Sequence, residues 1–433
     1  MQKQIWPITS AIHNGHLHIG GCDTVALAAA HGTPLYVLDE ATLRGAMRTY
    51  RAAFDATGLA VGIHYASKAL LNLALAKIVA QEDLGLDVVS GTELLVAQRA
   101  GMPMDRVHMH GNAKSQAELQ RALDWGVGAV VVDNLDELAH LAALSAGRPQ
   151  PQGILLRLAP SIDADTHAHI ATGGSGSKFG LSLTALDAAA KHILATPSLR
   201  LDGLHAHIGS QIFALEPLRT TLKVLVAAAA YLHTNYQITV RELSPGGGLG
   251  VPYTSDQPQP DLGEYATALA QTLRTGCAAH NLPVPRLTIE PGRSIVARAG
   301  VALYRVMGRK MHGEGEAVQY LHVDGGMADN LRPALYGARY SAMLANNAAA
   351  PAGPPVDVAG RYCEAGDVLL RGASLPPATP GDLLAVATSG AYTLSMASNY
   401  NLTPRPALLL VADGQAQVIQ RRENETDLLA RDA

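Results

Sequence analysis

The pentapeptide His64-Tyr65-Ala66-Ser67-Lys68 ends an apolar, strand-like run that begins at Val61. A helical pattern of leucine and other aliphatic residues starts directly after it, at Ala69. In a barrel of alternating strands and helices, the residue just past the C-terminal end of a strand faces the active site. A lysine there can bond covalently to an aldehyde or ketone, although most lysines are solvated surface groups. The importance of Lys68 therefore depends on the rest of the chain.

We expect eight strand–helix units, because short apolar runs that end in polar or glycine residues alternate with helical stretches. Helices are predicted at residues 91–100, 115–125 and 135–146, among others. Eight units over about 230 residues are typical of an α/β fold of the (β/α)8 TIM-like barrel type. An open doubly wound sheet has the same alternation, so the strand count is what favours the barrel. The predicted strands are 62–68, 86–90, 106–112, 129–134, 153–160, 201–209, 242–248 and 287–292.

The chain changes in character after Arg293, where glycine and proline turns separate strand-like runs and helical periodicity is scarce. This pattern favours a second, C-terminal and mostly β domain, a β-sandwich or barrel, with its boundary near Ser294. Residues 1–35 show no regular periodicity, and residues 346–355 form a low-complexity loop. The strands predicted in the second domain are 301–311, 317–323, 357–359, 367–370, 383–388 and 407–412.

Composition argues against several classes of protein. The 433 residues are 48% hydrophobic and 16% charged, with a formal net charge of −4, so a large core is possible and no basic patch suggests nucleic acid or a membrane surface. The cysteines at 22, 277 and 363 are too far apart for a disulfide framework or a zinc site, which favours a reducing, cytoplasmic setting. Residues 1–14 lack the apolar core of a signal peptide, and the longest apolar run, 224–232, is too short to cross a bilayer.

Two glycine-containing motifs follow the seventh and eighth predicted strands, at residues 245–250 and at Glu290-Pro291-Gly292-Arg293. Glycines let backbone N–H groups converge on an anion, and barrels often hold phosphate in these two loops. The ends of the other strands add further polar side chains, which a barrel brings to one face. They are Lys68, Ser90, Asn112, Asp133, Arg157 and His207.

A lysine that can bond to an aldehyde, together with a phosphate cup, suggests pyridoxal phosphate as the cofactor. That cofactor needs a carboxylate at its ring nitrogen, and Glu290 is the candidate. His205 and His207 alternate along a strand and so face one side. A metal site is possible there, but no carboxylate or cysteine lies nearby at ligand spacing, and stacking of one histidine on a flat cofactor is at least as good an interpretation.

Three further clusters lie in the predicted β domain. Residues 324–336 bring Arg332 within one helical turn of Tyr336, and residues 389–392 end in Tyr392. Cys363 stands beside Glu364. A free cysteine is usually an inert buried thiol, yet a thiol that is protonated at neutral pH can also donate a proton.

Taken together, these residues resemble the diaminopimelate decarboxylases, members of the fold-type III pyridoxal-phosphate enzymes. The similarity runs from Gly32-Thr33-Pro34-Leu35-Tyr36-Val37 to Ser398-Asn399-Tyr400-Asn401. Ser67, Leu70 and Ala365 depart from the residues usual in the family but remove no chemical group. The motifs are Tyr65-Ala66-Ser67-Lys68-Ala69, Ser175-Gly176-Ser177-Lys178-Phe179-Gly180, His205-Ala206-His207-Ile208-Gly209-Ser210-Gln211, Glu290-Pro291-Gly292-Arg293 and Cys363-Glu364.

The resemblance implies a role for each candidate residue. Lys68 would hold pyridoxal phosphate covalently, His207 would stack on its ring, and Glu290 would pair with the ring nitrogen. Cys363 would protonate the carbanion left after CO2 departs. The residues implied around the phosphate are Ser210, Gly247, Gly248, Gly292, Arg293 and Tyr392. Those implied around the substrate are Arg293, Arg332, Tyr336, Glu364 and Tyr392.

The resemblance also implies an architecture and an assembly. Residues 36–293 would form the cofactor-binding barrel, and residues 1–35 with 294–433 would form the β domain, so that the N-terminal segment completes it. Cys363 and Glu364 would reach the active site of a partner subunit, which makes the working unit a homodimer. No metal, nucleic acid or membrane is expected to take part.

Substrate choice depends on Arg332. The same scaffold is similar to ornithine, lysine and arginine decarboxylases, whose substrates lack the second carboxylate of diaminopimelate. Arginine pairs with carboxylates in a bidentate manner, and a buried Arg332 without such a partner would be an unpaired charge. We therefore expect decarboxylation of meso-2,6-diaminopimelate to L-lysine and CO2, the last step of lysine biosynthesis.

Three other functions fit the residues less well. An amino-acid racemase needs a second base opposite Lys68, and the motif of Cys363 suits a proton donor better. An inactive regulatory homologue would be expected to lack Lys68 or Cys363. A sugar-phosphate barrel does not account for Cys363 beside Glu364.

Overall fold

The computed structural model describes residues 4–160, 178–311 and 318–432. The predicted motif at 175–180 therefore lies in part outside the described residues. Contacts divide the chain into two compact units. The barrel unit comprises Met47–Gly250 and Pro260–Gly292, and the sheet unit comprises Met1–Ala46, Val251–Gln259 and Arg293–Ala433.

Eight parallel strands of the barrel unit close into a barrel in the order β10-β11-β12-β5-β6-β7-β8-β9, which confirms the predicted fold. Each prediction overlaps its strand but runs past its end, because the polar residues there leave the hydrogen-bonded ladder. The strands are β5 Val61–Ala66, β6 Gly85–Val88, β7 Val107–Met109, β8 Ala129–Val132, β9 Gln152–Arg157, β10 Leu199–His205, β11 Glu242–Ser244 and β12 Arg286–Ile289.

Local sequence signals set the ends of the barrel helices. Ser115 caps one helix by accepting from the N–H of Glu118, whose side chain bonds back to Ser115, and Gly126 ends that helix in the left-handed conformation. Asn134 caps the next helix by accepting from the N–H of Glu137. The helices are α3 Leu73–Gln81, α4 Gly91–Arg99, α5 Gln116–Trp125, α6 Leu135–Ser145, α7 Leu186–Leu194, α8 Glu216–Tyr236 and α9 Leu262–Ala279. α2, Glu40–Asp55, precedes them.

The sheet unit is mostly β, as predicted. Its main sheet has the order β17-β16-β14-β13-β4-β19-β20, with β18 paired to β13 and β15. A small antiparallel sheet, β1-β2-β3, precedes it. The strands are β1 Ala11–His13, β2 His16–Ile19, β3 Cys22–Asp23, β4 Leu35–Asp39, β13 Gly300–Met311, β14 Val318–Val323, β15 Ala342–Leu344, β16 Pro355–Ala359, β17 Val368–Ser374, β18 Leu383–Val386, β19 Ala407–Ala412 and β20 Gln415–Gln420. The helices are α1 Thr24–His31, α10 Arg293–Val296, α11 Arg332–Tyr336 and α12 Glu425–Leu429.

The N-terminal segment is part of the sheet unit and is more regular than its sequence suggested. Strand β4 pairs with β13 and β19, so residues 36–39, which we expected in the barrel domain, are hydrogen-bonded in the main sheet instead. Strands of two to four residues, such as β1 to β3, are too short to show a period, which is why 1–35 looked irregular. The predicted division at 36–293 and 294–433 otherwise stays a prediction.

Alternation along the strands builds the core of the sheet unit. Leu35 and Val37 of β4 are fully buried in one cluster with Val301 and Leu303 of β13. Successive strand residues point to opposite faces, so the residues between them lie on the other face of the sheet. No helix in the described ranges has both the length and the apolar content needed to cross a membrane.

Candidate active site

Lys68 lies directly after strand β5, in a single 3-10 turn, Ser67–Ala69. Its neighbours Ser67 and Ala69 are buried, whereas Lys68 itself is exposed. The hydroxyl of Ser67 donates to Oε2 of Glu93 at 2.7 Å, and this oxygen also accepts from the N–H of Val89. Burial raises the pKa of Glu93, while these hydrogen bonds and Lys68 lower it in part. The turn that carries Lys68 is therefore tied to helix α4.

Glu290 follows strand β12 and accepts a hydrogen bond on each carboxylate oxygen. Ser244 Oγ lies 2.7 Å from Oε1, and His205 Nε2 lies 3.0 Å from Oε2. Ser244 Oγ also accepts from the N–H of Gly246, so its own proton is directed to Glu290. Burial alone would raise the pKa of Glu290, but His205 and His110, with the hydrogen bonds from His205 and Ser244, hold that pKa well below its usual range. Glu290 is therefore a buried, ionised carboxylate.

We predicted that no carboxylate lies near His205 and His207. This prediction is wrong for His205, which contacts Glu290. Sequence spacing could not show this pair, because Glu290 is 85 residues away and reaches His205 through barrel closure. His207 lies past the end of β10, is half-buried and packs against Gly246. Burial, then Lys68 and Arg157, lower the pKa of His207 well below its ordinary value, so its ring is neutral.

The loops after β11 and β12 leave no room for side chains at their glycines. A Cβ on Gly247 would lie 2.0 Å from the carbonyl oxygen of Glu290. Gly248 has a φ of +106°, and a Cβ there would lie 2.4 Å from the carbonyl oxygen of Gly209. A Cβ on Gly292 would lie 3.0 Å from the Cβ of Ala66. Backbone thus lines this edge of the barrel, and Ser210 is half-buried beside Gly209 in the chain.

The four remaining strand-end residues make contacts within the barrel unit, among them Asn112, whose side-chain amide donates to the carbonyl oxygen of Lys178 at 3.5 Å. Ser90 caps helix α4 through the N–H of Glu93. Asp133 and Arg157 approach to 3.8 Å, and both are buried. These contacts stabilise the fold without requiring a ligand.

In the sheet unit, Arg332 is 5% exposed and is held by two tyrosines. Its Nη1 donates to the hydroxyl of Tyr340 at 2.5 Å, and its guanidinium lies 4.4 Å from the ring centroid of Tyr253. Within the described residues, Nε of Arg332 has no hydrogen-bond partner and no carboxylate forms an ion pair with this side chain. Arg332 therefore offers a preformed, unpaired cation.

Arg293 is the second buried arginine of the sheet unit. Its Nη1 donates to the hydroxyl of Tyr253 at 2.7 Å, and its guanidinium lies 4.6 Å from the ring centroid of Tyr392. Tyr392 has a φ of +57°, a left-handed conformation that is costly for a bulky side chain and often marks a functional site. Tyr253 therefore connects Arg293 to Arg332.

Cys363 and Glu364 are both exposed, so the interpretation of Cys363 as an inert buried thiol is wrong. The N–H of Cys363 donates to Asn401, and its carbonyl oxygen accepts from the hydroxyl of Tyr400. These contacts fix the backbone while the two side chains face outward. Tyr336, at the end of α11, is half-buried.

Several residues that contact the candidate site residues were not predicted from the sequence. The sequence indicates Glu93 as the third residue of its helix. It does not indicate the contact with Ser67, because the two residues are far apart in the chain. Tyr253 could have been noticed as an aromatic residue just after the glycine-rich loop. No sequence signal pointed to the others, which are His110, beside His205, and Tyr340, beside Arg332.

Comparison with known proteins gives one consistent family. Residues 40–297 match the family model for the pyridoxal-binding domain of pyridoxal-dependent decarboxylases. A diaminopimelate decarboxylase from Actinosynnema pretiosum subsp. auranticum is 43% identical and covers 100% of this chain and 96% of its own length. One from Bacillus subtilis is 40% identical, covering 97% and 95%. The crystal structure of diaminopimelate decarboxylase from M. jannaschii with L-lysine matches at a TM-score of 0.91 and 32% identity, covering 98% of both chains.

Proposed function

Because the chain belongs to the diaminopimelate decarboxylase family, we propose that it uses pyridoxal phosphate to convert meso-2,6-diaminopimelate to L-lysine and CO2. The observation that carries this proposal is the buried, ionised carboxylate of Glu290 in the same barrel that presents Lys68 after a strand end. The alternative reaction, decarboxylation of ornithine, lysine or arginine, would use the same barrel residues but gives Arg332 no partner.

The donor set of the barrel unit fits pyridoxal phosphate. A lysine, a neutral histidine and an ionised carboxylate are the groups that this cofactor requires, and the backbone-lined edge at Gly247 and Gly248 suits a phosphate. We propose that Ser210, Gly247, Gly248 and Gly292 surround the phosphate, with Arg293 and Tyr392 also contributing. N–H groups and a guanidinium suit a phosphate because both donate to its oxygens.

Each barrel residue then has a chemical task. Lys68 would hold the cofactor through its Nζ and would take part in product release. His207 would stack on the cofactor ring. The carboxylate of Glu290 would accept a hydrogen bond from the ring nitrogen. When bound, the cofactor supplies an electron sink for the pair left by the departing CO2.

We propose that the sheet unit selects the substrate. Arg332 pairs with the distal carboxylate of diaminopimelate, which simple diamino acids lack, and Glu364 takes the distal amine. Tyr336, with Arg293 and Tyr392, surrounds the rest of the substrate. The buried guanidinium of Arg332 supports this assignment, because it has no carboxylate partner within the described part of the chain.

Cys363 is proposed to donate the proton from its Sγ that replaces CO2 on the substrate. Its exposure, and that of Glu364, supports the further proposal that both residues complete the site of a second copy of the chain in a homodimer. A cytoplasmic location is proposed because a free, exposed thiol is kept reduced there.

The test is CO2 release by the purified protein loaded with pyridoxal phosphate. We would compare meso-diaminopimelate, L-ornithine, L-lysine and L-arginine at equal concentrations. Turnover of meso-diaminopimelate alone, with L-lysine as product, is the expected result. Turnover of a simple diamino acid in its place would overturn the assignment of Arg332 and leave that of Lys68 intact.

A further inference from the structure

Histidines and carboxylates occupy the interior of the barrel behind Glu290, where branched aliphatic side chains usually predominate. We call these residues the barrel histidine cluster. Each of them is less than 10% exposed, and several of their ring nitrogens and carboxylate oxygens are buried without a hydrogen-bond partner in the described residues. The members of the cluster are His64, Asp87, His108, His110 and His205.

The cluster leads from the barrel core to Glu290. Asp87 Oδ1 lies 3.3 Å from Nδ1 of His64 and 3.4 Å from Nε2 of His110. The rings of His110 and His205 meet edge to face with their centroids 5.0 Å apart. His205 then contacts Glu290 through Nε2. His205 is therefore the member of the cluster that forms a hydrogen bond with the proposed cofactor-binding carboxylate.

We propose that His205 is a positioning residue, which by donating its Nε2–H to Oε2 of Glu290 keeps this carboxylate ionised and so fixes a proton on the ring nitrogen of bound pyridoxal phosphate. The proposal rests on the proposed function and assigns a role to a residue that does not itself touch cofactor or substrate.

The hydrogen bonds to Glu290 support this role. An ionised carboxylate can only accept, so the proton shared with His205 resides on Nε2. Ser244 already donates to Oε1 and has no second proton for Oε2. If His205 could not donate, Oε2 would lose its donor inside a buried site, and Glu290 would take up a proton more readily. A protonated Glu290 is a poor acceptor for the ring N–H of the cofactor.

His205 acts on Glu290 through its Nε2–H, whatever charge its ring carries. Burial lowers the pKa of His205, and nearby His110 and Arg157 lower it further. Glu290 raises it in part, through its charge and its hydrogen bond. The proton on Nε2 follows from the geometry alone, because an ionised Glu290 can only accept at 3.0 Å.

A metal ion is the competing explanation, because ligand atoms of His110, His205 and Glu290 lie within 4.8 Å of one another. Two observations favour hydrogen bonding instead. The 3.0 Å between Nε2 and Oε2 is an ordinary hydrogen-bond distance, and both carboxylate oxygens of Glu290 already have donors. Metal analysis therefore belongs in the test.

The experiment uses the holoenzyme loaded with pyridoxal phosphate carrying 15N in its ring. His205→Leu removes the donor, and His205→Gln keeps an N–H donor close to the position of Nε2. His108→Gln is the matched control, since His108 is equally buried in the barrel but makes no hydrogen bond to Glu290. The readouts are cofactor content, the 15N chemical shift of the ring, kcat and KM, and bound metal.

We expect the wild-type ring nitrogen to be protonated and its shift in His205→Leu to move toward the unprotonated value. We expect kcat of that variant to fall on the order of 10- to 100-fold, as when a group that orients a ligand is removed, with KM little changed. His205→Gln should recover most of both changes, and His108→Gln should leave both at wild-type values.

Three results would overturn the proposal. An unchanged 15N shift in a folded, cofactor-loaded His205→Leu would remove the link between His205 and the ring proton. One equivalent of a divalent metal, lost in His205→Leu, would make His205 a ligand instead. Failure of the wild-type protein to take up pyridoxal phosphate would refute the proposed function itself, a result distinct from the other two.

Discussion

The two units of the chain treat buried charge in opposite ways. In the barrel unit, Glu290 has a donor on each oxygen, and both donors belong to that unit. In the sheet unit, Arg332 is just as buried, yet within the described residues it contacts tyrosines and no carboxylate. A buried cation without a counter-charge is costly. The barrel unit thus provides both hydrogen-bond donors to Glu290, whereas the described part of the sheet unit provides no anion for Arg332.

This difference matches the two proposed tasks. A cofactor that stays bound through every turnover is best served by groups whose state is fixed in advance, as Glu290 is. A substrate must supply part of the interaction itself, because its own charge is then what selects it. Under the proposed function Arg332 meets this condition, because its guanidinium has no carboxylate partner within the described residues.

The largest expected effect tests the barrel side of this comparison. Lys68→Ala removes the only proposed covalent anchor, so CO2 release should fall below detection while the protein stays folded, because Lys68 is exposed. Borohydride reduction of the wild-type holoenzyme, followed by peptide mass mapping, should place the cofactor on the peptide with Lys68. The control is Lys191→Ala, because Lys191 is exposed, and its activity should be unchanged. Lys114 is unsuitable as a control, since it is a buried ion-pair partner. A modified lysine elsewhere would contradict the assignment.

Asp329 provides a second contrast with Glu290, since it is a buried carboxylate without a histidine or arginine partner in the described part of the sheet unit. It accepts from Tyr304, Tyr36 and the N–H of Gly326. Burial raises the pKa of Asp329 from 3.8 to about 6, despite these hydrogen bonds. Where Glu290 is held ionised, Asp329 is therefore protonated more easily.

The raised pKa of Asp329 predicts a pH-dependent stability. Between 3.8 and about 6 the folded chain binds this proton more tightly than the unfolded chain. Its contribution to stability is therefore full below 3.8 and is lost as the pH rises through about 6. At about 1.4 kcal/mol for each pH unit, the loss is at most about 3 kcal/mol.

Asp329→Asn tests this prediction because asparagine keeps the shape of the side chain but does not titrate. We would measure the free energy of unfolding in urea for both proteins from pH 4 to pH 7. The wild-type value should fall relative to the variant over this range. A difference between the two proteins that stays constant with pH would show that Asp329 does not titrate there.

For the sheet unit, we predict that Arg332→Ala weakens the binding of ligands that carry the distal carboxylate and leaves the binding of other ligands unchanged. L-Lysine keeps the distal carboxylate of diaminopimelate, whereas cadaverine lacks it. Hydrogen bonds to charged groups contribute about 1.5–3 kcal/mol, so kcat/KM for diaminopimelate should fall on the order of 10- to 100-fold. Inhibition by L-lysine should weaken by a similar factor, and inhibition by cadaverine should not change.

The matched control for this prediction is Arg339→Ala, which removes an exposed arginine of the same unit that pairs with Asp256. It should leave kinetics with all three ligands unchanged. Equal weakening of L-lysine and cadaverine by Arg332→Ala would indicate a general structural defect, and the assignment of the distal carboxylate to Arg332 would then fail.

The barrel was predictable because its signal is local. Each strand is a short apolar run, as at 129–134 against the observed Ala129–Val132, and each helix begins with a cap such as Ser115. The first 35 residues were not predictable, since strands such as Cys22–Asp23 are stabilised by pairing and burial rather than by a pattern of their own.

The sequence could point to candidate site residues where one residue carries its own chemistry, as for Lys68 and Arg332, and their roles remain predictions. The contacts that set the state of those residues were not. His205 meets Glu290 across 85 positions. Only closure of the barrel creates this pair, so no spacing rule could have indicated it.

The smallest effect probes how Arg332 is held. Tyr340→Phe removes the hydroxyl that accepts from Nη1 of Arg332 but keeps the ring, whose centroid lies 5.4 Å from the guanidinium. One hydrogen bond contributes about 0.5–1.5 kcal/mol, so KM for diaminopimelate should rise roughly 2- to 12-fold with kcat little changed. If the tyrosine acts through Arg332, the same substitution made in Arg332→Ala should have almost no further effect on KM. Additive losses in the double variant would mean that Tyr340 acts on the substrate or the fold independently, and the sheet unit would then hold its arginine less firmly than the barrel unit holds Glu290.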